Sequence, residues 1–251
     1  ASRMPLQRLC DPTIAPSRRS ESAHHGSKPE SGSTQASLGG QTGPMTSDRP
    51  EGRTGTRRRT TAETDIAIAI DLDGAGTVEV STGLPFFDHM LDQIGRHGGF
   101  DLEVKATGDL HVDSHHTVED VGIALGEAFR DALGDKAGVR RFASGLYPLD
   151  EALIEVALDL SGRPFVVVDL PVNEALPLGN PPFNPQMAEH FLVSFATSAA
   201  ITLHVTKRAG TNTHHLIEAT FKGLARTLRD AVRVDGEGVP STKGTLSPPT
   251  R

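Results

Sequence analysis

One pattern occurs twice in this chain, His-His-x-x-Glu, first as His115, His116 and Glu119 and again as His214, His215 and Glu218. Imidazoles and carboxylates in so close an array suit the capture of a divalent metal ion. On an α-helix, residues four apart share a face while adjacent residues diverge by ~100°. His115 can therefore grip one ion together with Glu119 while His116 points towards another, and His214, Glu218 and His215 repeat the arrangement. Of the 11 histidines, six fall at matched positions, because His89 and His190 each precede a doublet at a similar distance. His97, His111 and His204 have no counterpart.

Eight candidate ligands, six imidazoles and two carboxylates, divide into two sets of four. A histidine-rich set without thiolate suits Mn, Fe, Co, Ni or Zn. Four protein ligands would close a tetrahedral zinc site, whereas a six-coordinate ion such as Mn(II) would keep two positions open for a substrate. Catalysis favours the second case. A dinuclear metallohydrolase is a competing reading, although such sites usually bridge their ions with carboxylates. A metal-storage protein could use the same ligands.

The elements that must carry these residues are legible in the hydrophobic pattern. Ile66, Ile68 and Ile70 alternate with alanines, and the turn residues Asp71 to Gly74 lead into Thr77 to Val80, which reads as a β-hairpin. Residues 87 to 97 read as a helix, 100 to 107 as a strand and 114 to 133 as a longer helix with the stripe Val118, Val121, Leu125, Ala128 and Ala132. Asp113 or Ser114 would cap that helix and Gly134 would end it. The order then returns: Glu151, Ile154, Asp159 and Gly162 match Glu63, Ile66, Asp71 and Gly74 in one register. A second striped helix spans 212 to 232. The fold class is α+β, an internal duplication over 59–146 and 147–246, each half strand-strand-helix-strand-helix, a mixed sheet with helices on one face. The second half carries an insertion rich in Pro and Asn between Pro171 and Pro185, read as a surface loop rather than a lid.

Residues 1–58 are rich in Ser, Gly, Pro, Thr and Arg without hydrophobic period and read as a disordered tail; 247–251 read as a flexible end. Met45 offers a start within the tail, and Arg57-Arg58-Arg59 reads as a solvated tail junction. Positions 61 to 251 hold 15 basic and 27 acidic residues, a balance that argues against nucleic acid as partner. The single cysteine, Cys10, leaves no disulfide framework. No apolar run approaches the ~18 residues of a membrane span, and no signal segment opens the chain. A cytoplasmic location is the expectation.

Five strings carry a resemblance: Phe87-Asp88-His89-Met90-Leu91, His115-His116-Thr117-Val118-Glu119-Asp120, Asp159-Leu160-Ser161-Gly162-Arg163-Pro164, Asn212-Thr213-His214-His215-Leu216-Ile217-Glu218 and Ser241-Thr242-Lys243-Gly244. In order over about 60 to 246, the chain resembles the imidazoleglycerol-phosphate dehydratases of histidine biosynthesis. The resemblance implies removal of water from D-erythro-imidazoleglycerol phosphate to give imidazoleacetol phosphate, with two Mn(II) ions per site. One ion would take His89, His116, His214 and Glu218, and the other His115, Glu119, His190 and His215. The substrate imidazole, bridging the ions as imidazolate, would be electron-rich enough to expel hydroxide, after which the neighbouring C–H becomes acidic. Glu63 corresponds to the acid/base carboxylate. Arg141, Arg163, Ser241, Thr242 and Lys243 would bind phosphate, and Gln93 and His97 would line the pocket with His89. Family members are homo-oligomers of 24 subunits with sites between chains.

Overall fold

The computed structural model describes residues 52–246. The expected tail up to residue 51, with Cys10 and Met45, and the end at 247–251 lie outside the described residues. The elements run β1 (Thr54–Thr60), β2 (Thr64–Asp71), β3 (Val78–Ser81), α1 (Pro85–Gly98), β4 (Asp101–Gly108) and α2 (His115–Leu133), then β5 (Phe142–Leu149), β6 (Ala152–Asp159), β7 (Phe165–Asp169), α3 (Met187–Ser198), β8 (Thr202–Ala209) and α4 (Thr213–Ala231). They form two four-stranded sheets of identical order, β1-β2-β4-β3 and β5-β6-β8-β7. The duplication is thus a duplication of topology, and each half has one strand more than the hydrophobic pattern suggests.

That extra strand corrects two boundaries. Residues 54 to 58 belong to β1 and not to a tail, and the expected division between Leu146 and Tyr147 falls inside β5, so the second half begins at Phe142. Apolar alternation cannot reveal β1, because its inward face is Gly55, Arg57 and Arg59. The arginines reach α2 instead of solvent: Arg57 pairs with Glu127 and Asp131, and Arg59 with Asp120 at 2.8 Å. The basic run is therefore a strand clamped to a helix by charge.

The expected hairpin of β2 and β3 does not form. β4 lies between them, antiparallel to β2 with Thr64 opposite Gly108 and parallel to β3 with Val78 opposite Leu102. The turn after β2 is held over the start of β4 by Asp101, whose Oδ1 accepts from the N–H groups of Ala75 and Thr77 at 2.9 and 2.8 Å. Period-two patterning names strands but not their neighbours.

Both sheets turn their apolar faces inward, Ile66, Ile68 and Ile70 from β2 and Ile154, Val156 and Leu158 from β6, and all six are buried. The four helices fill the space between, α2 against α3 and α1 against α4. The expected stripe of α2 is buried throughout. Gly126 lets α2 approach α3, since a Cβ there would stand 2.4 Å from the Phe195 carbonyl oxygen. Phenylalanines seal the layer: Phe191 stacks on Phe221 at 5.2 Å, and Phe129 meets Phe195 edge-on at 5.6 Å. The insertion before α3 is a loop folded back on itself, with Leu178 and Phe183 paired through their backbones and Phe183 wholly buried against Phe86 and Phe87. Among the described residues no helix is long and apolar enough to cross a membrane.

Candidate active site and metal centre

Both histidine doublets occupy the first turn of a helix. Asp113 Oδ1 accepts from the His115 N–H at 2.7 Å, while Asn212 Oδ1 accepts from His214 and His215 at 2.9 and 3.3 Å. Such caps satisfy the unpaired N–H groups of a helix start and fix where its first side chains point. Ser114 is buried and its side chain does not cap. One turn on, Glu119 Oε2 lies 3.6 Å from His115 Nε2 and Glu218 Oε2 lies 2.9 Å from His214 Nε2, so the four-residue spacing brings each pair together on one helix face. Adjacent rings diverge, at 76° for His115 and His116 and 84° for His214 and His215.

Helix packing then joins each doublet to the other half. His89 on α1 reaches α4, with Nε2 3.6 Å from Glu218 Oε2, and the ligand atoms of His89, His214 and Glu218 all lie within 4.8 Å of one another. His190 on α3 reaches α2, its ring 4.7 Å from that of His115. Two trios result, His89–His214–Glu218 and His115–Glu119–His190, each spanning the duplication. Burial pushes the Glu218 carboxyl up, but hydrogen bonds from Lys222 and His214 outweigh it and the net shift is downward.

The doublets' second imidazoles turn to other partners. His116 Nδ1 is 3.0 Å from Asp109 Oδ2 and 3.7 Å from Glu63 Oε2; His215 Nδ1 is 2.7 Å from Glu151 Oε2, with Asp150 3.7 Å from its Nε2. Donation to Asp109 raises the pKa of His116, donation to Glu151 raises that of His215, and Glu151 itself is lowered to about 2, chiefly by His215. Within one chain His116 does not join the His89 trio. Glu63 is half exposed, and among the described residues its carboxylate pairs with that distant imidazole alone.

The remaining expected residues separate into two groups. Gln93, buried on α1, donates from its amide to the His89 carbonyl at 3.1 Å and lies 3.3 Å from His89 Nδ1. His97 faces α4, where burial first and then the Lys222 and Arg226 charges push its imidazole down. The phosphate candidates lie at the far end of the second sheet. Arg141 clasps Asp159 through two bonds of 2.7 and 3.0 Å and donates to the Pro240 carbonyl; Arg163 donates to Ser161 O at 3.4 Å. Ser241 to Lys243 form a turn in the segment running past Pro240, with Thr242 and Lys243 exposed. Eight residues of β6 separate this end from Glu151 and His215, about 25 Å at the usual strand rise. Within one chain the phosphate candidates thus lie far from the His214–His215 doublet.

Lys222, with Nζ 2.7 Å from Glu218 Oε1, and Asp109 and Glu151 are site residues that motif spacing did not single out. Lys222 continues the His214–Glu218 face by one more turn, a signal present in the sequence. Asp109 carries no such periodic mark, because a strand end and not a helix face places it, and Glu151 is marked only as the counterpart of Glu63 in the duplication.

Fold and site together define a duplicated α+β protein in which paired helices from opposite halves bring histidines and carboxylates together, His89, His214 and Glu218 closely enough that they could hold a metal ion. The model of the imidazoleglycerol-phosphate dehydratase family matches residues 82–228. Relatives of that description include one from Acidothermus cellulolyticus, 55% identical over 195 residues that cover 77% of this chain and 93% of that one. A chloroplastic one from Pisum sativum is 51% identical, covering 79% of this chain and 70% of its own. Crystal structures of the dehydratases of Pyrococcus furiosus and Staphylococcus aureus superpose with TM-scores of 0.64 and 0.65. They are 36% and 31% identical, cover 76% and 72% of this chain, and are themselves covered to 100% and 99%. The chain belongs to the imidazoleglycerol-phosphate dehydratase family and is an enzyme of the hydro-lyase class.

Proposed function

We propose that this enzyme dehydrates D-erythro-imidazoleglycerol phosphate to imidazoleacetol phosphate in histidine biosynthesis, with two Mn(II) ions per active site. The observation that carries the proposal is the pair of trios, each drawing two imidazoles and a carboxylate from both halves. Donors of this type, already within 4.8 Å of one another in the His89 trio, fit a hard to borderline divalent ion. Bound there, the ions would supply Lewis acidity towards the substrate's imidazole.

His89, His214 and Glu218 would hold one ion, and His115, Glu119 and His190 the other. Each set wants a fourth donor, and His116 and His215, which lie outside the trios of their own chain, are the imidazoles left to provide it to a second copy. The distance from Arg141, Arg163, Ser241, Thr242 and Lys243 to the histidines of the same chain makes the same demand. Both favour a homo-oligomer with sites between subunits, and an assembly of 24 would satisfy them throughout. Glu63, unencumbered beside His116, is positioned to take the proton from the carbon next to the departing hydroxyl. Arg141 and Arg163 offer forks for the phosphate and Lys243 a point charge. His97, its imidazole pKa pushed down by burial, and Gln93 bound to His89 would line the wall between α1 and α4.

The deciding assay incubates manganese-loaded protein with imidazoleglycerol phosphate and follows the enolisable ketone. Absence of product with two ions bound per chain overturns the proposal. Release of inorganic phosphate would mark a hydrolase.

A further inference from the structure

The two halves treat their equivalent glutamates differently. Glu63 and Glu151 occupy the same place, immediately before β2 and β6. Each faces the second histidine of a doublet, His116 and His215. In the second half Glu151 is wholly engaged: Oε2 takes His215 Nδ1 at 2.7 Å, while Oε1 accepts from the Asn212 and Thr211 N–H groups at 2.9 and 3.3 Å. In the first half that duty falls to Asp109, 3.0 Å from His116 Nδ1, and Glu63 stands off at 3.7 Å.

The reason lies at the ends of β4 and β8. Asp109 follows β4, and its N–H donates to the Glu63 carbonyl at 3.1 Å, continuing the ladder. In the second half β8 carries one extra residue at the register shift beside Leu153, so Gly210 lies against Ala152, as Gly108 lies against Thr64. The residue that faces Glu151 is therefore Thr211, whose N–H goes to Glu151 Oε1. Neither Gly210 nor Thr211 carries a carboxylate, so Glu151 must provide it.

We infer that Asp109 and Glu151 are positioning residues that lock His116 and His215 with Nδ1–H inward and Nε2 outward, and that only Asp109 leaves its neighbouring glutamate free for proton transfer. A carboxylate is acceptor-only, so the imidazole nitrogen facing it must carry the proton and the other nitrogen presents its lone pair. Such outer partners orient metal-binding histidines, and their loss costs 10–100-fold in metal affinity. The inference rests on the metal reading given above. It also accounts for a single acid/base glutamate in a chain that has two equivalent positions for one.

The test is Mn(II) affinity, read from the free-ion resonance signal during titration, for wild type, Glu151→Ala, Glu151→Gln, Asp109→Ala, Asp109→Asn and Glu63→Gln. Both alanine variants should bind about 10–100-fold more weakly. Glu151→Gln and Asp109→Asn keep an acceptor oxygen and should recover most of that loss. Turnover of the alanine variants should rise as Mn(II) is added, while Glu63→Gln should bind like wild type and stay about 10²–10⁴-fold down in kcat at any concentration. Wild-type affinity in both alanine variants overturns the inference, as does a Glu151→Gln protein that binds Mn(II) normally yet is inactive. Should Glu151→Ala fail to fold for want of its bonds to Thr211 and Asn212, the outcome rests on Asp109→Ala, whose side chain holds no backbone N–H among the hydrogen bonds described. A wild type that binds no Mn(II) overturns the metal reading itself, before any variant is compared.

Discussion

Phe183 offers the sharpest test of how the fold supports the site. Its ring is fully buried in the loop before α3, 5.3 Å from the ring of Phe86 and 5.9 Å from that of Phe87. Phe86 in turn meets His214 edge-on at 5.2 Å. Truncating a buried phenylalanine to alanine typically costs about 3–5 kcal/mol, the lost transfer energy plus the cavity left behind. The backbone bonds of Phe183 with Leu178, 2.7 and 2.9 Å, do not depend on the ring, so the whole loss in Phe183→Ala belongs to packing. Guanidinium unfolding of metal-free protein should show a lower midpoint at unchanged slope, with Phe183→Leu losing less than about 1.5 kcal/mol. Because Phe86 loses its backing, Mn(II) binding through His214 should weaken too. A loss under about 1 kcal/mol would refute the reasoning that this ring pins the loop. Full stability loss with unchanged Mn(II) affinity would refute the link to His214.

Other outcomes follow from the same geometry. Glu63→Gln should keep both ions and lose about 10²–10⁴ in kcat, the usual share of a general base, as steady-state kinetics on metal-counted enzyme will show. Asp120→Ala removes the acceptor of the Thr64 hydroxyl, bonded at 2.6 Å and buried, and should cost about 1–3 kcal/mol in denaturant melts, with Asp120→Asn costing less. The folded-state pKa of Glu151, about 2, lies below its ordinary 4.5, so its stabilisation is present above pH 4.5 and drains away as pH falls towards 2. In metal-free protein the stability gap between wild type and Glu151→Gln should therefore close across that window, and a gap that stays constant would contradict it.

Much of the molecule could be read from residue spacing, because helix faces and strand alternation are local. The stripe of α2, the matched order of the two halves and the four-residue partnership of His115 with Glu119 are all short-range facts. β1 escaped because arginines rather than aliphatic residues face its helix, and charge has no periodic signature of burial. β4 came between β2 and β3 because its pairing is non-local, and a turn-rich connection of the length found after Asp71 serves a hairpin or a crossover equally well.

The sequence by itself singled out the side chains proposed for the chemistry: six matched histidines, two glutamates and a further glutamate ahead of the first β2 isoleucine. Only the tertiary structure decided how they combine. It paired α1 with α4 and α2 with α3, so that each trio crosses the duplication, and it sent the phosphate candidates to the far end of a sheet. It also gave equivalent glutamates unequal work. Asp109 meets His116 where β4 ends, whereas the extra residue in β8 sets Gly210 against Ala152 and Thr211 against Glu151. That register between distant segments has no mark in the spacing of residues along the chain.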